Sequence, residues 1–301
     1  IATRETYGKA LLEAVKENPD IIVLDADLAS ATKTSYVKEN VPEQFYDVGI
    51  AEANMVGIAA GLASQNLKPF VSSFAMFLAG RAFEQIRNSV AYPHLNVKLC
   101  ASHAGISVGE DGASHQCLED LSLMRTLPGM VVLQPCDAIE TRAMVKWMVD
   151  YEGPCYMRLS RFAVENVLNP EYTFSLGKIK QLKQGKRIAL LATGLMVQES
   201  LKAVKDLNVS VYNVSTIKPM DKKALKKIAD LHDCIITLEE HNVIGGLYSS
   251  VCEIVHNKPI YPIGIKDVFG ESGDVKSLFR KYGLDSEMIL SYVQAVNKMI
   301  E

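Results

Sequence analysis

Ile21-Ile22-Val23-Leu24-Asp25-Ala26-Asp27 joins four consecutive apolar residues to two carboxylates. A short apolar run without alternation marks a strand buried on both faces, as in a parallel sheet covered by helices. The same rhythm continues on either side. Upstream, Tyr7, Leu11 and Val15 recur at i, i+4 beside Ala10 and Ala14, which predicts a helix that Thr3 can cap. Downstream, Met55, Ile58, Ala59 and Leu62 mark a second helix, and strands are predicted at 70–73, 97–101, 130–133 and 155–159. Strands alternating with helices imply an α/β fold with a mostly parallel sheet and helices on both faces.

Between 162 and 185 this rhythm breaks at Asn169-Pro170, Gly177 and Gly185, so the stretch reads as a surface linker. It divides the chain into a first unit at 1–161 and a second, smaller α/β unit at 186–301. The second has predicted strands at 188–192, 209–213, 234–238 and 260–265 and helices at 196–206, 222–229, 246–256 and 285–300. At 301 residues, each unit is long enough to bury a core of its own.

The formal charge of -3 points to neither nucleic acid nor an anionic membrane as partner. No stretch approaches the ~20 apolar residues of a membrane span. The six cysteines are scattered without a C-x-x-C pair, which fits reduced thiols and a cytoplasmic location.

Parallel sheets bind ligands beyond the carboxyl ends of their strands. Asp25 and Asp27 follow the first strand, Glu52 follows a strand-like 45–48, Phe74 follows 70–73, His103 follows 97–101 and Arg161 follows 155–159. In Val48-Gly49-Ile50-Ala51-Glu52-Ala53-Asn54-Met55, apolar flanks would bury the carboxylate of Glu52, and a buried carboxyl tends to hold a proton that it can exchange with a ring nitrogen. A helix-dipole role is the plainer alternative for such a glutamate. Phe74 and Phe77, at a strand-to-helix transition, are either core or an apolar box for a flat heterocycle. The run His103-Ala104-Gly105-Ile106-Ser107-Val108-Gly109-Glu110-Asp111-Gly112-Ala113-Ser114-His115-Gln116 reads as a partly buried loop. Its imidazoles and Asp111 suit either a metal or sugar hydroxyls. Arg4 and Arg161 on the same edge could clamp a phosphate.

Gly-Ile-x-Glu at 49–52, the Phe74–Phe77 pair running into Arg-Ala-Phe-Glu-Gln-Ile-Arg, and Gly-Glu-Asp-Gly-x-x-His-Gln at 109–116 together resemble transketolase, in order and across nearly the whole chain. The resemblance implies a pyrimidine-binding fold followed by a transketolase C-terminal-like domain, working with thiamine diphosphate. By it, Glu52 protonates the aminopyrimidine ring, Phe74 and Phe77 pack on that ring, and Asp27 lies near the thiazolium. His103, Asp111 and His115 hold substrate hydroxyls, the histidines assisting proton transfer, and Arg4 and Arg161 hold a sugar phosphate. Two positions depart from the family. Ala31 stands where a serine is common, and Gly80 replaces a third aromatic. The family's Gly-Asp-Gly diphosphate segment is missing, so that function, with its Mg²⁺ or Ca²⁺, is expected on a separate N-terminal chain.

A two-plus-two heterotetramer is expected with that partner, and dimers when this chain stands alone. The implied activity is transfer of a two-carbon ketol unit between sugar phosphates. Rival readings are a deoxyxylulose phosphate synthase, the beta subunit of a 2-oxoacid dehydrogenase, and a cofactor-free regulatory subunit. His103 argues against the first two. In the second unit, Glu239-Glu240-His241-Asn242 resembles a structural segment, with His241 expected as a hydrogen-bonded loop residue.

Overall fold

In the computed structural model, which describes residues 1–300, six strands of the first unit lie in one sheet. They are β1 (Ile21–Asp25), β2 (Phe45–Asp47), β3 (Lys68–Phe74), β4 (Lys98–Ser102), β5 (Val131–Leu133) and β6 (Cys155–Arg158), in the spatial order β5-β6-β4-β3-β1-β2. Every pairing among them is parallel, which requires the helical crossovers that the sequence pattern predicts. β4 and β6 are buried throughout and β3 nearly so, in keeping with a sheet covered on both faces.

The second unit contains β7 (Lys180–Lys183), β8 (Ile188–Ala192), β9 (Ser210–Asn213), β10 (Thr216–Lys218), β11 (Cys234–Asn242) and β12 (Ile260–Ile265). Its sheet runs β12-β11-β8-β9-β7, parallel except for β7. The fold is thus α/β with two mostly parallel sheets.

Several local expectations need correction. β7 falls within the stretch read as a linker; it is a polar, half-exposed edge strand, without the apolar run that marks a buried one. β10 leaves its own unit and pairs antiparallel with β5, extending the first sheet to seven strands. Thr3 does not cap the first helix. Ala2 is the cap residue, Thr3 opens the helix Thr3–Glu17, and the Thr3 hydroxyl accepts from the Ser160 N–H at 2.8 Å. A helix at Val275–Lys281 lies outside the predicted elements, although Asp274 caps it by accepting from the Ser277 N–H at 3.1 Å.

The two units share a core. Leu121 and Met124 from the first pack in one apolar cluster with Leu247 and Val251 from the second. Beside it, Arg158 at the end of β6 is buried and donates from Nε to both Asp120 oxygens at 3.0 and 2.9 Å. Its Nη2 reaches the carbonyls of Cys117 and Glu240 at 3.1 and 3.0 Å, linking the sheets through one guanidinium.

Candidate active site

The site grows from the carboxyl ends of β1, β3, β4 and β6. After β1 the chain turns sharply, with Asp27 at φ +61°. Asp25 is buried and spent on structure, accepting from the Leu28 N–H and from the hydroxyls of Thr32 and Thr34. Burial nonetheless raises its pKa above the ordinary aspartate value. Asp27 itself is exposed. The Asp47 carboxylate accepts from the N–H groups of Asp27 and Gly49, each at 3.0 Å, and so fixes the two turns to one another. Gly49, at φ +74°, makes the second turn possible and delivers Glu52 to the first position of the helix Glu52–Ala63.

Glu52 is buried, as its flanks require, but not alone. Its Oε2 takes a 2.6 Å charge-assisted hydrogen bond from Arg81 Nη1, and its Oε1 accepts from Ser73 Oγ at 3.2 Å. Sequence reasoning missed both partners. An arginine ending a helical segment reads as surface, and Arg81 is indeed half-exposed. The signal that marks it is local: Met76–Arg81 winds as a π-helix, a rare form that recurs at functional sites. Its wide turn lays the Arg81 guanidinium 4.8 Å from the centre of the Phe77 ring.

Phe74 closes β3, and its ring stacks on Phe77 at 5.8 Å and on His103 at 3.8 Å. His115 meets Phe77 edge-on at 5.2 Å and Phe74 at 6.3 Å. The two phenylalanines and two histidines, separated by up to 41 positions, thus form one aromatic cluster beside Glu52.

His103, held at φ +55° just past β4, has both nitrogens occupied. Arg4 Nη1 lies 3.0 Å from Nε2, and Ser102 Oγ lies 2.8 Å from Nδ1. A guanidinium only donates, so Nε2 is the acceptor and the proton sits on Nδ1, facing Ser102. Burial, followed by the positive charges of Arg4 and Arg161, pushes the His103 pKa down to about 3. The ring is therefore neutral at physiological pH.

Arg4 also donates to the Ala31 carbonyl at 2.7 Å. Burial and then Arg161 lower its pKa, which reflects two like charges near each other. The link from Thr3 to Ser160 brings these arginines to one edge. Arg161 donates to the Val108 carbonyl at 2.7 Å and pairs with Asp111 at 3.5 Å, both side chains being well exposed. Two guanidiniums beside a neutral imidazole form a site that gains energy from an anion.

The 103–116 run is partly buried, as expected, but it is not a featureless loop. Ile106–Asp111 forms 3-10 turns broken at Gly109, with Ile106, Ser107, Val108 and Gly109 buried. His115 is half-buried, with Nδ1 3.0 Å from Ser114 Oγ. Among the described residues, no three His, Cys, Asp or Glu side chains come together as a metal-ligand cluster. His241 is not a loop residue: it lies in β11, fully buried, with Nδ1 2.6 Å from the Asn242 carbonyl and Nε2 without a hydrogen-bond partner.

Known proteins carry the same arrangement of domains. The family profile for the transketolase pyrimidine binding domain matches residues 1–166, and that for the transketolase C-terminal domain matches residues 177–289. The 6-deoxy-6-sulfo-D-fructose transketolase subunit SqwH of Clostridium sp. is 38% identical, across 99% of this chain and 94% of its own. An apulose-4-phosphate transketolase subunit of Phocaeicola vulgatus is 39% identical, across 96% of this chain and 95% of its own. A solved split-gene transketolase, described as an inactive beta4 tetramer, superposes with a TM-score of 0.88 at 46% identity, covering 98% of this chain and 97% of that one. This chain belongs to the transketolase family and carries its pyrimidine-binding and C-terminal domains.

Proposed function

We propose that this chain is the pyrimidine-side subunit of a two-chain transketolase that moves a two-carbon ketol unit between sugar phosphates. Family membership implies dependence on thiamine diphosphate. The observation that carries the reading is a buried glutamate placed beside an aromatic shelf, with histidines and arginines beyond it. The residues fit the cofactor's heterocycle. Phe77 already accepts a flat cationic group, the Arg81 guanidinium, on its face, and that group is hydrogen-bonded to Glu52. Phe74 and Phe77 would hold the aminopyrimidine, and Asp27 would lie towards the second ring. The diphosphate and its Mg²⁺ or Ca²⁺ would fall to an N-terminal partner chain, through oxygen ligands.

When bound, thiamine diphosphate supplies an electron sink for cleaving the bond next to a ketose carbonyl. Glu52 holds a proton at the aminopyrimidine nitrogen and sets the protonation state of that ring. For this, Arg81 must leave Glu52 or shift along it, since it occupies one carboxylate oxygen. His103, neutral with its Nε2 engaged by Arg4, would exchange that guanidinium for a substrate hydroxyl and hold it by accepting its hydrogen bond. His115 is held through Nδ1, which leaves Nε2 for a second hydroxyl. Asp111 would exchange Arg161 for a sugar hydroxyl, freeing that guanidinium, with Arg4, for the substrate's anionic end.

Tyr46 and Ile50, exposed beside the turn that precedes Glu52, support docking of the partner chain here, since apolar side chains gathered at a site rim favour an interface. Self-association and a heterotetramer remain part of the proposal. Among the described residues no helix is long and apolar enough to cross a membrane, and the six cysteines are free, which supports a cytoplasmic setting.

Co-expression with a diphosphate-binding transketolase half, followed by a screen of ketose phosphates, tests the function. Two-carbon transfer to an aldose acceptor is the expected result. Carbon dioxide release from pyruvate without ketol transfer would assign the chain to another thiamine reaction.

A further inference from the structure

The 103–116 segment carries three of the proposed substrate-holding groups, yet much of what fixes its shape comes from the second unit. Glu240, in β11, is buried, and its Oε1 accepts from the Ser107 N–H at 2.5 Å. Gly105 makes room for this contact. At φ +82° it passes so close that a Cβ there would collide with the Glu240 carboxylate. A few residues on, Gln116 Nε2 bonds the segment's own carbonyl at Gly109, at 3.1 Å, and the Glu271 carbonyl from the second unit, at 2.9 Å. Ser272 Oγ donates to the Glu110 carbonyl at 2.7 Å, next to Asp111. Gly270 leaves the space in which the Gln116 amide sits. The helix Val275–Lys281 packs on the same 3-10 turns.

Three bonds thus reach across the domain boundary to one segment: Glu240 to Ser107, Gln116 to Glu271, and Ser272 to Glu110. A segment containing Gly105, Gly109 and Gly112, all at positive φ, has little rigidity of its own. Its order must come from outside, and these bonds supply part of it.

We infer that the second unit acts as a brace for the substrate-holding segment, with Glu240 as its main positioning residue. Glu240 touches neither the proposed cofactor region nor the sugar-holding side chains. It acts through the Ser107 amide, which sets the path of the chain on to Asp111 and His115. Burial raises the Glu240 pKa to about 7, against the pull of Arg158, so a neutral amide is a fair substitute as acceptor. This inference rests on the proposed role of Asp111 and His115 in holding substrate.

The test compares E240A, E240Q and S272A. Amide hydrogen exchange over 103–116 is measured on the full chain by itself, and kinetics are measured on the complex with its diphosphate-binding partner. In E240A, exchange in the segment is expected to rise about tenfold over wild type, the scale of one lost hydrogen bond. Exchange in the β1 and β3 strands stays unchanged, and KM for a ketose phosphate rises more than kcat falls. E240Q keeps the acceptor and restores both readouts. S272A changes an exposed contact that folding does not need, and it loosens residues 109–112 alone. If E240A does not fold, E240Q and S272A carry the decision. Unchanged exchange in E240A and S272A would overturn the brace, and so would a uniform rise across the chain with E240Q as damaged as E240A. A complex that transfers no ketol unit refutes the proposed function while leaving the exchange result to judge the brace.

Discussion

Replacing Arg158 by methionine removes the charge on which the domain junction is built. The guanidinium is buried and donates to both oxygens of Asp120, to Cys117 and to Glu240. Burial opposes its charge, but Asp120 and Glu240 outweigh that cost and hold it protonated more firmly than usual. In R158M, Asp120 keeps the Tyr156 hydroxyl at 2.7 Å and loses its counter-charge. Breaking a buried pair from one side costs about 3–5 kcal/mol. At about 2 °C per kcal/mol for a chain of this size, the thermal midpoint should fall by roughly 6–10 °C. The control is D120N/R158M, which removes both charges. If the loss in R158M comes from a stranded carboxylate, the double variant should be more stable than R158M, because the two changes share one interaction. Calorimetry at pH 7.5, at one scan rate and protein concentration, gives both numbers. A loss under about 1 kcal/mol in R158M, or a double variant less stable than R158M, would mean that no stranded Asp120 charge governs the junction.

Three further outcomes follow from the site. His103 should stay neutral well below the usual histidine range, titrating near pH 3 in nitrogen-15 spectra, while a normal histidine protonates near 6.5. The depressed pKa means that the unfolded chain binds the extra proton first. The contribution of His103 to stability is therefore complete above about pH 6.5 and is lost as pH falls towards 3. R161A in the complex should raise KM for a phosphorylated ketose by about tenfold or more, while hardly changing it for the unphosphorylated sugar, because a charge-assisted hydrogen bond is worth about 1.5–3 kcal/mol. Equal losses on both sugars would remove Arg161 from anion binding. R81A should leave the chain folded and alter thiamine diphosphate affinity, measured by calorimetric titration of the complex, because Arg81 lies over Phe77 and against Glu52. An unchanged affinity would place Arg81 outside the cofactor's reach.

Much of the first sheet was legible because its strands are unbroken apolar runs, and the polar residues at their carboxyl ends stand out against them. β1 (Ile21–Asp25) is a clear case, and β8 (Ile188–Ala192) is its counterpart in the second sheet. The short strands β7 and β10 were not legible. Each is an edge strand of three or four residues whose pairing is decided by distant partners, β9 and β5. Phe74, Phe77, His103 and His115 were nameable from motif spacing, and the structure brings them into contact. Sequence could not show what each is bonded to. Arg81 on Glu52, Arg4 on His103, and Glu240 on Ser107 span 29, 99 and 133 positions. Local pattern carries no information at such separations, and the sign of a charge says nothing about its partner. His241 misled for a related reason. Among polar neighbours it reads as a loop residue, whereas the extended strand β11 carries those polar residues into the junction around Arg158.

Whether the Glu52 carboxyl serves the cofactor ring is decided by the rate of two-carbon transfer in the reconstituted complex, wild type against E52Q. The substitution keeps the shape and the bond to Ser73 but removes the exchangeable proton, so transfer should fall by about 10²–10⁴-fold while thiamine diphosphate still binds. An E52Q complex that transfers at near the wild-type rate would take Glu52 out of cofactor activation.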